Sequence, residues 1–227
     1  MLRHEWTCVV ARYHSENRIA RMAVAALKSV EGRIIPIGHS MGAMVALEIW
    51  RKARERVDAL ALFDTDPGPD TVGRAARRDI QVRMALSGKF SAMVESQLLP
   101  AYFSPSHEHN EKFREEVMAM AKEQGVSAFV AQAEALANRA DAWPLLAGID
   151  AFTLVACGED DRICPPRIHQ QMAKRLPASS YECIANAGHF APLEQPRATA
   201  ELLKNWFGRL TVSSGQAGRV ARALRIS

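Results

Sequence analysis

The feature that most constrains this chain is the pentapeptide Gly38-His39-Ser40-Met41-Gly42, set between an apolar run, Ile34-Ile35-Pro36-Ile37, and a helical pattern from Ala43 to Ala53. A chain that passes sharply from strand to helix crowds its own backbone around the central residue. Glycines two before and two after remove the side chains that would collide there. The same turn lifts the Ser40 hydroxyl above the sheet. It also aims the Met41 N–H into that space, at the start of a helix whose dipole favours a developing negative charge. Ser40 is therefore a candidate nucleophile, and the Met41 N–H a candidate oxyanion donor.

A serine hydroxyl needs a base, and the base needs orienting. Two further stretches supply both. Phe152 to Cys157 reads as a strand and delivers Gly158-Glu159-Asp160-Asp161-Arg162-Ile163-Cys164-Pro165-Pro166. Tyr181 to Ile184 reads as another and delivers Ala187-Gly188-His189-Phe190-Ala191-Pro192-Leu193-Glu194-Gln195-Pro196. In open parallel sheets, sites assemble at the carboxyl ends of strands, so Ser40, Asp161 and His189 can converge on one edge. Asp64, ending the Val57–Phe63 strand, is the other acid to weigh. Asp160 is expected to point away, and Glu194 to anchor a loop to a helix. His39 packs beside the serine. His4, His14, His107, His109 and His169 lie in polar or helical surroundings that read as solvated.

These three segments, in the order Ser, Asp, His, resemble the α/β-hydrolase fold family, in particular bacterial hydrolases of broad substrate range with a helical lid. The resemblance spans Ser15 to Phe207. It implies an α/β fold, a mostly parallel sheet covered by helices with an all-helical lid insertion. It also implies a Ser40–His189–Asp161 triad and hydrolysis of a small ester or related acyl substrate through an acyl-enzyme, without cofactor or metal. The same triad serves carbon–carbon bond hydrolases, perhydrolases and lactonases. The chain departs from the family in one respect. Members place several strands and a His-Gly oxyanion loop before the elbow, whereas only 39 residues precede Ser40 and none of them forms a His-Gly pair. Two expectations follow: a start site placed late in a longer protein, or a truncated, impaired remnant that serves as a binding protein. Without those strands, the strand at Arg33–Ile37 is expected to be an exposed apolar edge.

The organisation expected is a first core part (1–66), a helical insertion (67–145), a second core part (146–208) and a basic, flexible tail (209–227). Within it, helices are expected at Ser15–Lys28, capped by Ser15, at Pro166–Leu176 and at Arg197–Phe207. The insertion breaks at Ser87-Gly88, at Leu99-Pro100 and at Gly125. The net charge of +4 sits in the tail, where Arg209, Arg219, Arg222 and Arg225 have no acidic neighbours. The body is then near neutral and carries no nucleic-acid footprint. No apolar run is long enough for a membrane helix, and the first residues lack a signal-peptide core. Cys8, Cys157, Cys164 and Cys183 show no metal-ligand spacing and fit reduced thiols in a cytoplasm. The partner implied is a small-molecule substrate, and the sequence leaves a homo-oligomer open.

Overall fold

A computed structural model describes residues 7–13, 16–213 and 222–226. The strands are β1 (Thr7–Val10), β2 (Ile34–His39), β3 (Ala59–Phe63), β4 (Phe152–Gly158), β5 (Ser179–Ile184) and β6 (Arg222–Ile226). They form one sheet in the order β1-β6-β2-β3-β4-β5, and every pairing is parallel.

Parallel strands need crossovers, and these cover both faces. The strand residues alternate accordingly. Ile34, Leu60, Leu62 and Val155 pack with helices α1 (Ile19–Lys28) and α2 (Met41–Ala53). Ile35, Ala59, Ala61, Phe63, Leu154 and Ala156 face the other way, onto Trp206 and Phe207.

An all-helical insertion separates β3 from β4: α3 (Val72–Met84), α4 (Phe90–Met93), α5 (Leu99–Tyr102), α6 (Glu111–Ala137) and α7 (Trp143–Leu146). Wide-turn segments at Ala85–Lys89 and Val94–Leu98 link the shorter helices. The backbone breaks inside it at Gly88 and Gly125, both at positive φ, where those glycines were expected to interrupt. The insertion has its own core of Met93, Leu99, Phe103 and Val117. Its two ends are clamped together. The buried Asp70 carboxylate accepts from Arg78 and Arg139, and Arg139 also donates to the Gly68 carbonyl. Arg74 bridges Asp66 and the Ile163 carbonyl, tying the first insertion helix to the loop that carries Asp161. The last helices are α8 (Pro166–Arg175), α9 (Ala191–Glu194) and α10 (Pro196–Ser213).

Three expectations need correction. Helix α1 begins at Ile19, after an extended Arg18 that makes no side-chain cap, and the cap expected at Ser15 lies outside the described residues. The tail does not simply fray: α10 runs on to Ser213, and Arg222–Ile226 forms β6. The third follows from the second. The β2 strand has no exposed edge, because β6 pairs with it from Ile34 to Gly38, and β1 pairs with the far side of β6. His4, His14 and Arg219, and the first six residues read as lacking a signal-peptide core, lie outside the described residues.

Candidate active site

Ser40 occupies a backbone conformation (φ 52°, ψ −116°) that residues with a side chain rarely adopt. The surroundings hold it there. Its N–H donates to the Phe63 carbonyl at 2.9 Å. Its own carbonyl accepts the Thr65 hydroxyl, also at 2.9 Å. Gly38 is required by contact, since a Cβ there would overlap the Gly42 carbonyl and the Ala43 nitrogen. Met41 opens α2, so its N–H has no acceptor within the helix and lies at the positive end of the dipole.

The other two side chains meet Ser40. The His189 Nε2 lies 2.8 Å from Ser40 Oγ, and Nδ1 lies 2.9 Å from Asp161 Oδ2. The second Asp161 oxygen accepts the Ile163 and Cys164 N–H groups, each at 2.8 Å. Burial alone would raise the Asp161 carboxyl. The facing His189 and those two N–H groups override it and hold the carboxyl below its ordinary range. An ionised Asp161 accepts from Nδ1–H, which leaves Nε2 free to accept the serine proton. The arrangement can thus deprotonate an alcohol and return the proton to a leaving group. Both Asp161 and His189 are only 3% exposed, so this chemistry is shielded from water.

The loops carrying them touch through backbone. A Cβ on Gly158 would overlap the Ala187 and Gly188 carbonyls, and one on Gly188 would collide with main-chain atoms of Phe103 and Ser104. Glu194 is the anchor expected of it. Its carboxylate is buried and accepts the Gly188 N–H at 2.7 Å and the Ser104 N–H at 2.8 Å, joining the histidine loop to the insertion. Tyr102, from α5, stacks over the His189 ring at 6.0 Å, and Phe190 packs edge-on to it. The insertion therefore supplies one wall of the site.

Asp160 makes no bond to His189; its N–H donates to the Ala187 carbonyl. Asp64 is fully buried behind the site. One of its oxygens accepts the Gly158 N–H at 2.8 Å, and the other lies 3.5 Å from His39 Nε2. Burial, reinforced by the Asp161 charge, pushes the Asp64 carboxyl well above the usual carboxylate range. His169, read from sequence as solvated, is instead completely buried, and its Nε2 accepts the Thr65 N–H at 2.8 Å. Sequence reasoning missed this support, although His169, Met172 and Leu176 share a helical face. His107 is part-buried against Ser104 and Glu194.

Asp161, Cys164 and His189 offer ligand atoms within 4.8 Å of one another, the one such group among the described residues. They suit a metal poorly. Both His189 nitrogens are engaged. Burial and the Asp161 charge raise the Cys164 thiol well above its ordinary pKa, so it stays protonated rather than becoming a thiolate ligand. A separate cavity of about 180 Å³, lined by Ile19, Met44, Leu47, Pro67 and Leu145 among others, does not include Ser40.

Comparison with known proteins agrees with this architecture. A protein of Bacillus subtilis named as a 2-succinyl-6-hydroxy-2,4-cyclohexadiene-1-carboxylate synthase is 26% identical over 204 residues, covering 86% of this chain and 73% of the relative. A Serratia proteamaculans protein named for carbamate hydrolase activity, RutD, is 27% identical over 75% of this chain, which spans 64% of that relative. Among solved structures, a thermophilic esterase from Thermogutta terrifontis superposes with a TM-score of 0.79 at 26% identity, over 86% of this chain and 74% of the esterase. The family described as the alpha/beta hydrolase family matches residues 3–202, nearly the whole sequence, and the chain belongs to it.

Proposed function

We propose that this protein is a serine hydrolase of the esterase type, cleaving a small, fairly apolar ester or related acyl compound through an acyl-enzyme. The observation that carries the reading is the unbroken relay from Ser40 Oγ through the His189 ring to Asp161, at 2.8 and 2.9 Å. Ser40 attacks the substrate carbonyl while His189 takes its proton. Asp161 fixes the tautomer and stabilises the imidazolium that forms, and stays ionised itself. The Met41 N–H receives the developing oxyanion. His189 then protonates the leaving group, and a water deprotonated by the same ring releases the acid. Tyr102 and Phe190 give the site an apolar wall that suits a non-polar acyl or leaving group. The insertion acts as a lid that shapes this pocket and keeps water out.

The likeness to the Thermogutta esterase supports ester chemistry. The name of the Serratia relative brings in carbamates, whose carbonyl is open to the same attack. A fluorophosphonate probe tests the central claim. It is expected to label the full chain and to fail on Ser40→Ala. Equal labelling of both proteins, or none of the wild type, refutes the reading. A panel of nitrophenyl esters of rising acyl length, run beside a nitrophenyl carbamate, then reports the acyl class.

A further inference from the structure

One contact beside the relay has no part in the chemistry above. His39 Nε2 lies 2.6 Å from the main-chain carbonyl of His189. A carbonyl oxygen only accepts, so this nitrogen carries a hydrogen. The same atom faces the buried Asp64 carboxyl at 3.5 Å. Asp64 is itself fixed: its N–H donates to the Ala156 carbonyl, and its other oxygen accepts the Gly158 N–H. The His39 ring is further wedged between those of His189 and Phe190, each 5.3 Å away. The residue before Ser40 thus grips the backbone of the residue that bonds Ser40, and leans on a carboxyl that also grips the start of the Asp161 loop.

We propose that His39 is a positioning residue, whose Nε2–H holds the His189 main chain where the imidazole stays within hydrogen-bond reach of Ser40. Asp64 steadies that ring from behind. The proposal rests on the serine-hydrolase reading for its effect on rate, but not for its effect on geometry. Packing alone would ask only for a flat ring at position 39. Positioning asks for a donor at the place of Nε2.

Two variants of the full chain separate these requirements. His39→Phe keeps the ring and loses the donor. His39→Gln loses the ring but can place an amide N–H where Nε2 was. If positioning is right, His39→Phe lowers kcat for a nitrophenyl ester about 10- to 100-fold, as small misplacements of reacting groups do. KM stays nearly unchanged, and His39→Gln recovers most of the rate. Proton NMR supplies a readout that needs no turnover. The low-field resonance of the His189 Nδ1–H, buried from water against Asp161, should move or vanish in His39→Phe and return in His39→Gln. A resonance unmoved in His39→Phe overturns the proposal, as does a Gln variant no better than the Phe one. If the wild type proves inert to the fluorophosphonate, the hydrolase reading falls, while the NMR comparison still judges the positioning.

Discussion

The buried His169 makes a quantitative prediction about acid. The ring sits on α8 with no solvent exposure, accepting the Thr65 N–H at Nε2 and facing the Pro165 carbonyl with Nδ1 at 3.4 Å. An imidazole that accepts at one nitrogen and donates at the other is neutral. Protonation would turn Nε2 towards the Thr65 N–H as a second donor. Burial lowers its pKa from an ordinary 6.5 to about 4, and the nearby Asp161 charge offsets only part of that. Above pH 6.5 the ring is neutral folded or unfolded and contributes nothing. Between 6.5 and about 4 the unfolded chain binds a proton that the folded chain refuses, so stability falls with pH. The full loss is about 3 kcal/mol at 1.36 kcal/mol per pH unit, of which about 2 kcal/mol has developed by pH 5. Asp64 works against this. Its raised pKa lets the folded chain take a proton first, so it adds stability as pH falls towards 3.8. The raw acid profile therefore mixes two signs, and a mutant difference is needed. His169→Gln can turn its amide oxygen to the Thr65 N–H but cannot titrate. By urea unfolding, the variant should be the weaker protein at pH 7.5 by about 1 kcal/mol, near the worth of one imperfectly replaced hydrogen bond. At pH 5 the gap should close or reverse, because only the wild type has lost its about 2 kcal/mol. A gap that stays constant between the two pH values refutes the buried, neutral assignment.

The orienting role proposed for Asp161 predicts that, if the protein turns over nitrophenyl esters, Asp161→Asn lowers that turnover by about 10³- to 10⁴-fold with little change in fold, since an amide fixes the wrong tautomer. Turnover near that of the wild type would move the acid elsewhere. Ending the chain after Ser213 should remove β6 and leave β1 and β2 with unpaired facing edges. That chain is expected to lose several kcal/mol of stability, at about 1 kcal/mol for each ladder hydrogen bond lost, and to aggregate on chromatography. A soluble monomer with an unchanged melting temperature would contradict the pairing.

The parts of the site that were legible in the sequence are those whose chemistry is local. Glycine spacing around Ser40, an apolar strand before it and a helix after it express a steric demand met within a few residues. The Asp161 and His189 loops show the same strand-then-loop pattern, and in the structure they follow β4 and β5 and bring their side chains to Ser40. What stayed hidden depends on partners distant in sequence. Arg222-Ala-Leu-Arg-Ile is short, rich in arginine and preceded by Ser and Gly, so nothing in it announces a strand; it becomes one by bonding to β1 and β2 together. His169 was masked by Arg167, Gln170, Gln171 and Lys174 around it. Only the side of α8 on which it falls, shared with the buried Met172, marks it as interior.

The strand order also explains why the site needs its glycines and its buried carboxyls. Ser40 leaves β2 and His189 follows β5, with β3 and β4 between them. Three strand spacings amount to about 14 Å, far beyond the reach of an imidazole. The loop after β5 must therefore run back across the ends of β4 and β3 before its histidine can bond Ser40. Gly188 and Gly158 permit that return, because the two backbones pass where no Cβ fits. The strands crossed over supply the footings: β4 through Gly158 and Asp161, β3 through Asp64 and Thr65. Asp64 and His39 lie along this route, between the loop that must return and the turn it must reach. A tie at that point limits how far His189 can drift from Ser40, whereas a tie nearer β5 would leave the overhanging part of the loop free to move.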